Sequence, residues 1–356
     1  MRFEVAAPGK LILLGEYAVL SGAPAVVMAV NRHARVELRR SRENRWRFSS
    51  PGLVTEPVDL EIRALGELRW HGTDDVVCAF GLVDRLLREL ATKKVIDLEG
   101  LPPGEAVLDT RQFHRTRGGR LCKLGLGSSA ALTVALASAL ADWAGAAGPK
   151  TPDAEWLQVL VDAHRAVQGG AGSGIDVAAS AIGGVVNYRL HDDGSIDDAV
   201  PMTLPEDLGL CCIWTGKSAS TGDFLAQLEA SRRNRPRAVE RALGFLCEVS
   251  ERGVDALANH ECAGFLGAVD EFWDALDALG KSIEMPILSE DHRRLRRLVG
   301  EFGMHYKPSG AGGGDFGIAF SSLKAPADEM IRRVAAEGFE VVKLETELEG
   351  VRRVGF

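Results

Sequence analysis

Residues 123–131 read Lys123-Leu124-Gly125-Leu126-Gly127-Ser128-Ser129-Ala130-Ala131, and the seam between glycine turn and helix in this stretch organises the chain around it. Glycines let a backbone approach an anion closely and turn several N–H groups toward it. Ala131, Leu132, Ala135, Leu136, Ala139, Leu140 and Trp143 then recur at helical spacing. A helix beginning there points its positive end at the same place. Ser128 and Ser129 offer hydroxyls to phosphate oxygens or a metal, and Lys123 adds charge. The pattern is neither the dinucleotide GxGxxG loop nor the GxxxxGK[ST] loop. A glycine-serine turn before a helix is common, so this stretch needs company. The helix itself is rich in Ala and Leu, which predicts burial in the first half of the chain.

Upstream lies Ala7-Pro8-Gly9-Lys10-Leu11-Ile12-Leu13-Leu14-Gly15-Glu16-Tyr17-Ala18-Val19-Leu20. Leu11–Leu14 and Ala25–Val30 read as strands, and Ala34–Leu38 alternates like a half-exposed one. A lysine at position 10, on the first strand, would neutralise charge growing between two phosphoryl oxygens. A solvated surface lysine is the other reading, and spacing alone leaves both open. Residues 39–60 are charged and proline-containing, as strand edges and a surface loop would be. Residues 76–90 have the spacing of a helix.

Downstream, a second helix is predicted over about 153–168, a strand over 183–190 and a turn over 191–195. Between helix and strand stands Gly170-Ala171-Gly172-Ser173-Gly174-Ile175-Asp176-Val177-Ala178-Ala179-Ser180. Asp176 there either caps a helix or orients or deprotonates an acceptor hydroxyl. Residues 222–300 read as mostly helical, with Phe265, Leu266, Val269, Phe272, Trp273 and Leu276 as a packing stripe. Lys307-Pro308-Ser309-Gly310-Ala311-Gly312-Gly313-Gly314-Asp315 is a glycine loop of high entropic cost, followed by a strand at 316–320. A helix over 326–337 and a closing strand over 339–345 complete the reading. A boundary near 195–205 divides the chain into 1–200 and 201–356.

The composition sets limits. With 356 residues there is room for two domains. A net charge of −8 argues against nonspecific nucleic-acid or anionic-membrane binding. It leaves room for an anionic small molecule gathered by local N–H groups and a few cations. The 6 cysteines form no CxxC pair and no zinc spacing, so reduced thiols in a cytoplasmic protein are expected. The stretch Met1–Lys10 lacks the charged-then-apolar layout of a signal, so no leader is expected, and the apolar run Ala130–Ala141 is too short to span a bilayer.

Taken together, these segments resemble the GHMP kinases, in the family's order and from Ala7 to Gly317. The resemblance implies an α+β fold of two domains, a ribosomal-protein-S5-like N-terminal one and a ferredoxin-like C-terminal one, with the active site in the cleft between them. It also implies ATP and Mg²⁺ as cofactors and transfer of the γ-phosphoryl group to a small metabolite. Carried over motif by motif, Lys10 and Asp176 are the catalytic pair. Lys123, Gly125, Leu126, Gly127, Ser128, Ser129 and Ala130, with Gly310, Ala311, Gly312 and Gly313, bind the nucleotide. Ser129 is also the metal ligand. Glu16, Tyr17, Ser173, Gly174, Lys217, Ser218, Ser220 and Asp315 face the acceptor.

Within the family, the phosphomevalonate kinase branch is the best match. Gly15-Glu16-Tyr17-Ala18-Val19 resembles its GEYAV stretch, Trp214-Thr215-Gly216-Lys217-Ser218-Ala219-Ser220-Thr221 its WTGxxAST signature, and 309–319 its SGAGGGDxGIA run. Mevalonate kinase or another small-molecule kinase of the family is the alternative. Gly170 stands where the branch usually has Lys, Phe316 where Cys is frequent, and Gln168 where mevalonate kinases carry a metal-binding Glu. A phosphorylated acceptor is largely dianionic at neutral pH, its second pKa being about 6, so the site must bring two anions together. Lys10, Lys123 and Lys217 are the candidates for that work. A metabolite sensor on the same fold would be expected to lack Lys10 or Asp176, and both are present. The expected partners are a small phosphorylated substrate and, at most, a second copy of the chain, with no nucleic acid and no membrane.

Overall fold

The computed structural model describes residues 2–146, 152–170, 172–218, 221–322 and 326–355. In chain order the first half contains β1 (Arg2–Leu14), β2 (Ala25–Arg40), β3 (Trp46–Ser49), β4 (Val58–Ile62), β5 (Leu68–His71), α1 (Asp74–Ala79), α2 (Gly81–Thr92), β6 (Gly104–Asp109), β7 (His114–Arg117) and β8 (Arg120–Lys123). It continues through α3 (Ser128–Trp143), α4 (Ala154–Val167), α5 (Ile175–Ile182), β9 (Val185–Leu190) and β10 (Ile196–Met202). The second half contains β11 (Gly209–Trp214), α6 (Thr221–Asn234), α7 (Pro236–Ala258), α8 (Cys262–Ser282) and α9 (Glu290–Gly300). It ends with β12 (His305–Ser309), β13 (Phe316–Ser321), α10 (Asp328–Ala336), β14 (Glu340–Val341) and β15 (Arg352–Val354).

A 9-stranded sheet runs β10-β9-β2-β6-β3-β4-β5, with β1 paired to β2 and to β15. A 4-stranded sheet runs β12-β13-β11-β14, and β7 with β8 makes a separate hairpin. The apolar runs on β1 and β2 are continuous because both faces of that part of the sheet are buried. Leu11, Leu13, Val26 and Met28 face the core shared with α7 and α8. Ile12, Ala25, Val27 and Ala29 face the other core, under α2 to α5. α3 is buried on nearly all sides, as its composition predicts.

Three expectations are adjusted by packing. Residues 25–30 and 34–38 form one strand, because Asn31 and Arg32 sit in a bulge opposite Pro8 and Gly9. The helix expected over 76–90 is two helices. The chain turns at Phe80, whose buried ring stacks on Trp70 and tilts against Phe48. The closing strand expected at 339–345 is only Glu340–Val341 on the small sheet.

Beyond β14 the chain crosses back to the large sheet. Thr346 bridges Val30, the Glu347 N–H donates to the Ala29 carbonyl at 3.0 Å, and β15 pairs antiparallel with β1. The large sheet therefore contains residues from both ends of the chain. The returning segment passes tightly over the end of α5. A Cβ on Gly183, whose φ is +82°, would meet the Gly350 nitrogen at 2.4 Å. A Cβ on Gly350 would meet the Ala181 carbonyl at 2.1 Å. Neither obstacle is the end of a flexible side chain. Gly183→Ala is expected to lower stability by about 1–3 kcal/mol through overpacking and a disfavoured φ. Urea denaturation checks this, and an unchanged midpoint would mean the tail does not rest on α5.

Candidate active site

Lys10 lies just past the point where the β2 bulge faces Pro8 and Gly9. The register of β1 against β2 shifts between Pro8 and Gly9. Gly9 is required by close approach, since a Cβ there would lie 2.7 Å from the Leu126 carbonyl oxygen. With that space open, the Lys10 N–H donates to the same carbonyl at 2.9 Å and pins the glycine loop to β1. Lys10 is buried, and no hydrogen bond or ion pair of its ammonium is formed among the described residues.

Gly127 caps α3 from a left-handed conformation and contributes no side chain. The N–H groups of the first turn of α3 are thereby left to a ligand. A Cβ on Gly127 would lie 3.1 Å from Lys10 Cγ and 3.8 Å from Asp176 Cβ. Lys10, the start of α3 and Asp176 thus meet at one point. Asp176 is in the first turn of α5, which Gly174 caps in the same left-handed way. Two helix starts, each with a local positive field, converge there.

A cavity opens beside this point. Ile12, Val19, Leu20, Ile175 and Leu225 make its apolar walls. Lys10, Glu16, Tyr17, Ser173, Gln168 and Asp176 supply its polar groups. His164 lies behind, with Nδ1 3.9 Å from Asp176 Oδ1.

The glycine loop after β12 is fastened to β1 by buried bonds. Lys307 Nζ lies 2.5 Å from Glu16 Oε1, with side chains 0% and 2% exposed. Burial pushes the Lys307 pKa down, and the Glu16 carboxylate holds it up against that. Glu16 Oε1 also accepts from the Gly310 N–H at 3.2 Å. The Ser309 hydroxyl accepts from the Ile12 N–H at 2.9 Å and donates to the Ile12 carbonyl at 3.0 Å. Tyr17, in a positive-φ conformation, donates its hydroxyl to the Ala311 carbonyl at 2.5 Å. Burial raises the pKa of that phenol, so it remains a donor.

Residues 122–184 match the family model described as the GHMP kinases N terminal domain. That span holds the α3 loop and Asp176 together. Over that span the chain carries a GHMP kinase N-terminal domain. It is an ATP-dependent phosphotransferase. A phosphomevalonate kinase of Streptomyces sp. strain CL190 is 29% identical over 97% of both chains. A mevalonate kinase of Pyrococcus furiosus is 28% identical over 96% of this chain and 98% of its own. A Streptococcus pneumoniae phosphomevalonate kinase, solved with phosphomevalonate and AMPPNP, superposes with a TM-score of 0.74. That superposition covers 96% of this chain and 99% of the other at 20% identity, a likeness of fold.

The residues expected to act in this family are not all in one place. Lys10, Glu16, Tyr17, Ser173, Gly174, Asp176, Gly310 and Ala311 line the cavity. Gly125, Leu126, Gly127, Ser128, Ser129 and Ala130 form the loop and first turn of α3. The structure does not bring Lys217 to the cavity. Its side chain is 68% exposed and its ammonium is 2.5 Å from Asp291, an acid in the first turn of α9 that attracts it electrostatically. The Lys217 carbonyl accepts from the Asp315 N–H at 2.7 Å, which braces the glycine loop. Ser218 donates to the Lys123 carbonyl at 3.3 Å, at the entrance to the α3 loop. The Asp315 carboxylate packs on Gly125, where a Cβ would meet its Cγ at 2.3 Å. Gly312 and Gly313 pack on Ile287, and Ser220 lies outside the described residues.

Sequence reading missed His292. It is fully buried on α9, and its Nε2–H donates to the Gly314 carbonyl at 3.0 Å, since a carbonyl only accepts. Its Nδ1 then accepts from the Tyr306 hydroxyl at 2.9 Å. Burial lowers its pKa from 6.5 to about 4. In acid the unfolded imidazole takes a proton near pH 6.5, while the folded one resists until about pH 4. This contribution to stability is complete above pH 6.5 and is lost as the pH falls toward 4. At about 1.4 kcal/mol per unit, the loss approaches about 3 kcal/mol. Urea midpoints measured at pH 7.5 and 5 should fall clearly for the native chain and less for His292→Gln. Equal falls would remove His292 from the acid response.

Proposed function

We propose that this kinase transfers the γ-phosphoryl group of ATP to phosphomevalonate. The observation that carries the reading is the meeting of Lys10, Asp176 and the uncapped start of α3 beside a largely apolar cavity. Phosphoryl transfer leaves a protein little covalent work, so positioned charge decides the rate. The first turn of α3 holds the nucleotide's phosphates through N–H groups and the Ser128 and Ser129 hydroxyls. Lys10 sits where charge grows on the transferring group and the attacking oxygen. Asp176 orients Lys10 and the acceptor. The apolar walls take the carbon skeleton of the acceptor.

Mg²⁺ fits this site as the nucleotide's companion. Among the described residues, no group of three or more His, Cys, Asp or Glu side chains converges to cage an ion. The ion would come with the nucleotide's phosphates, and Ser129 would supply a protein oxygen to hold it. When bound, the ion offsets charge on the phosphates.

The base has a candidate seat as well. Pro51, Leu53, Arg111, His114, Thr116 and Leu121 line a second cavity at the β7–β8 hairpin. His114 pairs across the hairpin with Lys123, which leads into the α3 loop. Leu53 and Leu121 are among the few large apolar side chains left exposed, at 50% and 53%. His114 Nδ1–H donates to the Thr110 carbonyl at 3.0 Å, so Nε2 carries a lone pair, and that atom is buried without a partner. An apolar slot with one unused acceptor suits a purine bearing an amino group.

The choice of acceptor rests on the match of the 15–20, 214–221 and 309–319 segments to the phosphomevalonate kinase branch. Overall identity does not separate the two acceptors, since a phosphomevalonate kinase and a mevalonate kinase are each 29% identical to this chain, so those segments carry the choice. ADP release with MgATP and each acceptor in turn tests it. Turnover with phosphomevalonate and little with mevalonate is expected, and the reverse would give the site to mevalonate. Lys10→Met should lower kcat by about 10²–10³. Leu121→Asp should raise KM for ATP about tenfold and leave KM for the acceptor unchanged. Equal effects on both KM values would move the base elsewhere.

A further inference from the structure

The mechanism above leaves a buried histidine unused behind Asp176. His164 is on the last turns of α4 and is 3% exposed. Its Nε2 lies 3.1 Å from the Gln168 side-chain nitrogen, one turn on. Its Nδ1 faces Asp176 Oδ1 at 3.9 Å. The two neighbours fix the same tautomer. An amide N–H at Nε2 requires a lone pair there, and a carboxylate facing Nδ1 favours the proton on that side. The Gln168 oxygen turns toward Gly172, where a Cβ would lie 3.6 Å from it.

We propose that His164 is a positioning residue for Asp176, with its Nδ1–H aimed at Oδ1 by Gln168. Oδ1 also accepts from the Val177 N–H at 3.1 Å. Occupying Oδ1 from two sides leaves Oδ2, which has no partner among the described residues, for Lys10 or the acceptor. At 3.9 Å the contact is longer than a hydrogen bond. Catalytic contacts often stand this long without substrate and tighten when it binds. Other charged neighbours are turned elsewhere. Arg165 donates to the Gly172 and Ser173 carbonyls, and the Tyr188 hydroxyl donates to the Ser173 carbonyl.

The inference rests on the proposed role of Asp176, and a double-mutant cycle in the full chain tests it. His164→Leu should lower kcat about tenfold with KM for ATP unchanged, a fraction of what positioned acid–base groups contribute. In the Asp176→Asn background the same change should lower kcat less than about twofold, because the pair acts as a unit. His164→Asn, whose amide nitrogen falls near Nδ1, should keep most of the rate. His164→Gln, whose nitrogen falls near Nε2, should not. Equal losses in both backgrounds, or equal rates for Asn and Gln, would overturn the proposal. Nitrogen NMR of the His164 ring is a readout independent of turnover. Nδ1 protonated and Nε2 bare is the expected result, and the opposite tautomer refutes the proposal even if no acceptor is phosphorylated. Absence of phosphotransfer with the expected tautomer would instead refute the functional reading.

Discussion

Lys307 and Glu16 meet where no water reaches them, and the geometry of the site depends on that meeting. One residue is on β12 of the small sheet, and the other follows β1 of the large one. Removing either partner leaves the other charge buried alone, which typically costs about 3–5 kcal/mol. The pair does more than join two halves. Glu16 Oε1 also receives the Gly310 N–H, so the carboxylate sets where the glycine loop begins. Ser309 and Tyr17 fasten the loop at the next points along it. A loop of this composition, free, would sample many conformations. Held at its start by Glu16, at Gly314 by His292 and at Asp315 by the Lys217 carbonyl, it has little freedom left.

The same pair settles the charge of the cavity. The protein carries a net charge of −8, yet its site must accept an anionic nucleotide. Glu16 is neutralised by Lys307 at 2.5 Å and adds little repulsion. Asp176 is the remaining carboxylate lining the cavity, set against the Lys10 ammonium. Two helix starts add their own positive field without adding any charged side chain. Local arrangement thus outweighs net charge, because such fields act over one turn of helix and within a poorly hydrated space.

How much of this was legible in the sequence follows from how local each cause is. The runs Leu11–Leu14 and Ala25–Val30 announced strands because burial on both faces removes the polar alternation. The α3 loop and helix were legible because glycine, serine and apolar spacing act within one segment. Asp176 was legible as a helix-start carboxylate, but not its company. His164 falls within the helix expected over 153–168, and nothing nearby in sequence places it behind Asp176. Lys307 stood in a quoted segment, but its partner is nearly 300 positions away. Lys217 shows the converse. Its motif context pointed to an acceptor's phosphate, while Asp291, brought close only by the fold, takes its charge. The break at Phe80 and the return of the tail to β1 likewise depend on partners distant in the chain.

The placement of Lys217 changes how a phosphorylated acceptor must be held. If its charge is committed to Asp291, Lys10 is the cation that lines the cavity. One ammonium then serves both the transferring group and the attacking oxygen. This is consistent for a phosphate acceptor, because the attacking oxygen is itself part of the anion that Lys10 attracts. An alcohol acceptor would divide the work differently. Its hydroxyl needs a proton removed, and Asp176 would have to take it. With Oδ1 held by the Val177 N–H and faced by His164 Nδ1, the Asp176 carboxylate is fixed in orientation. An acceptor that arrives already ionised asks only for such an anchor, which is the division of work proposed above.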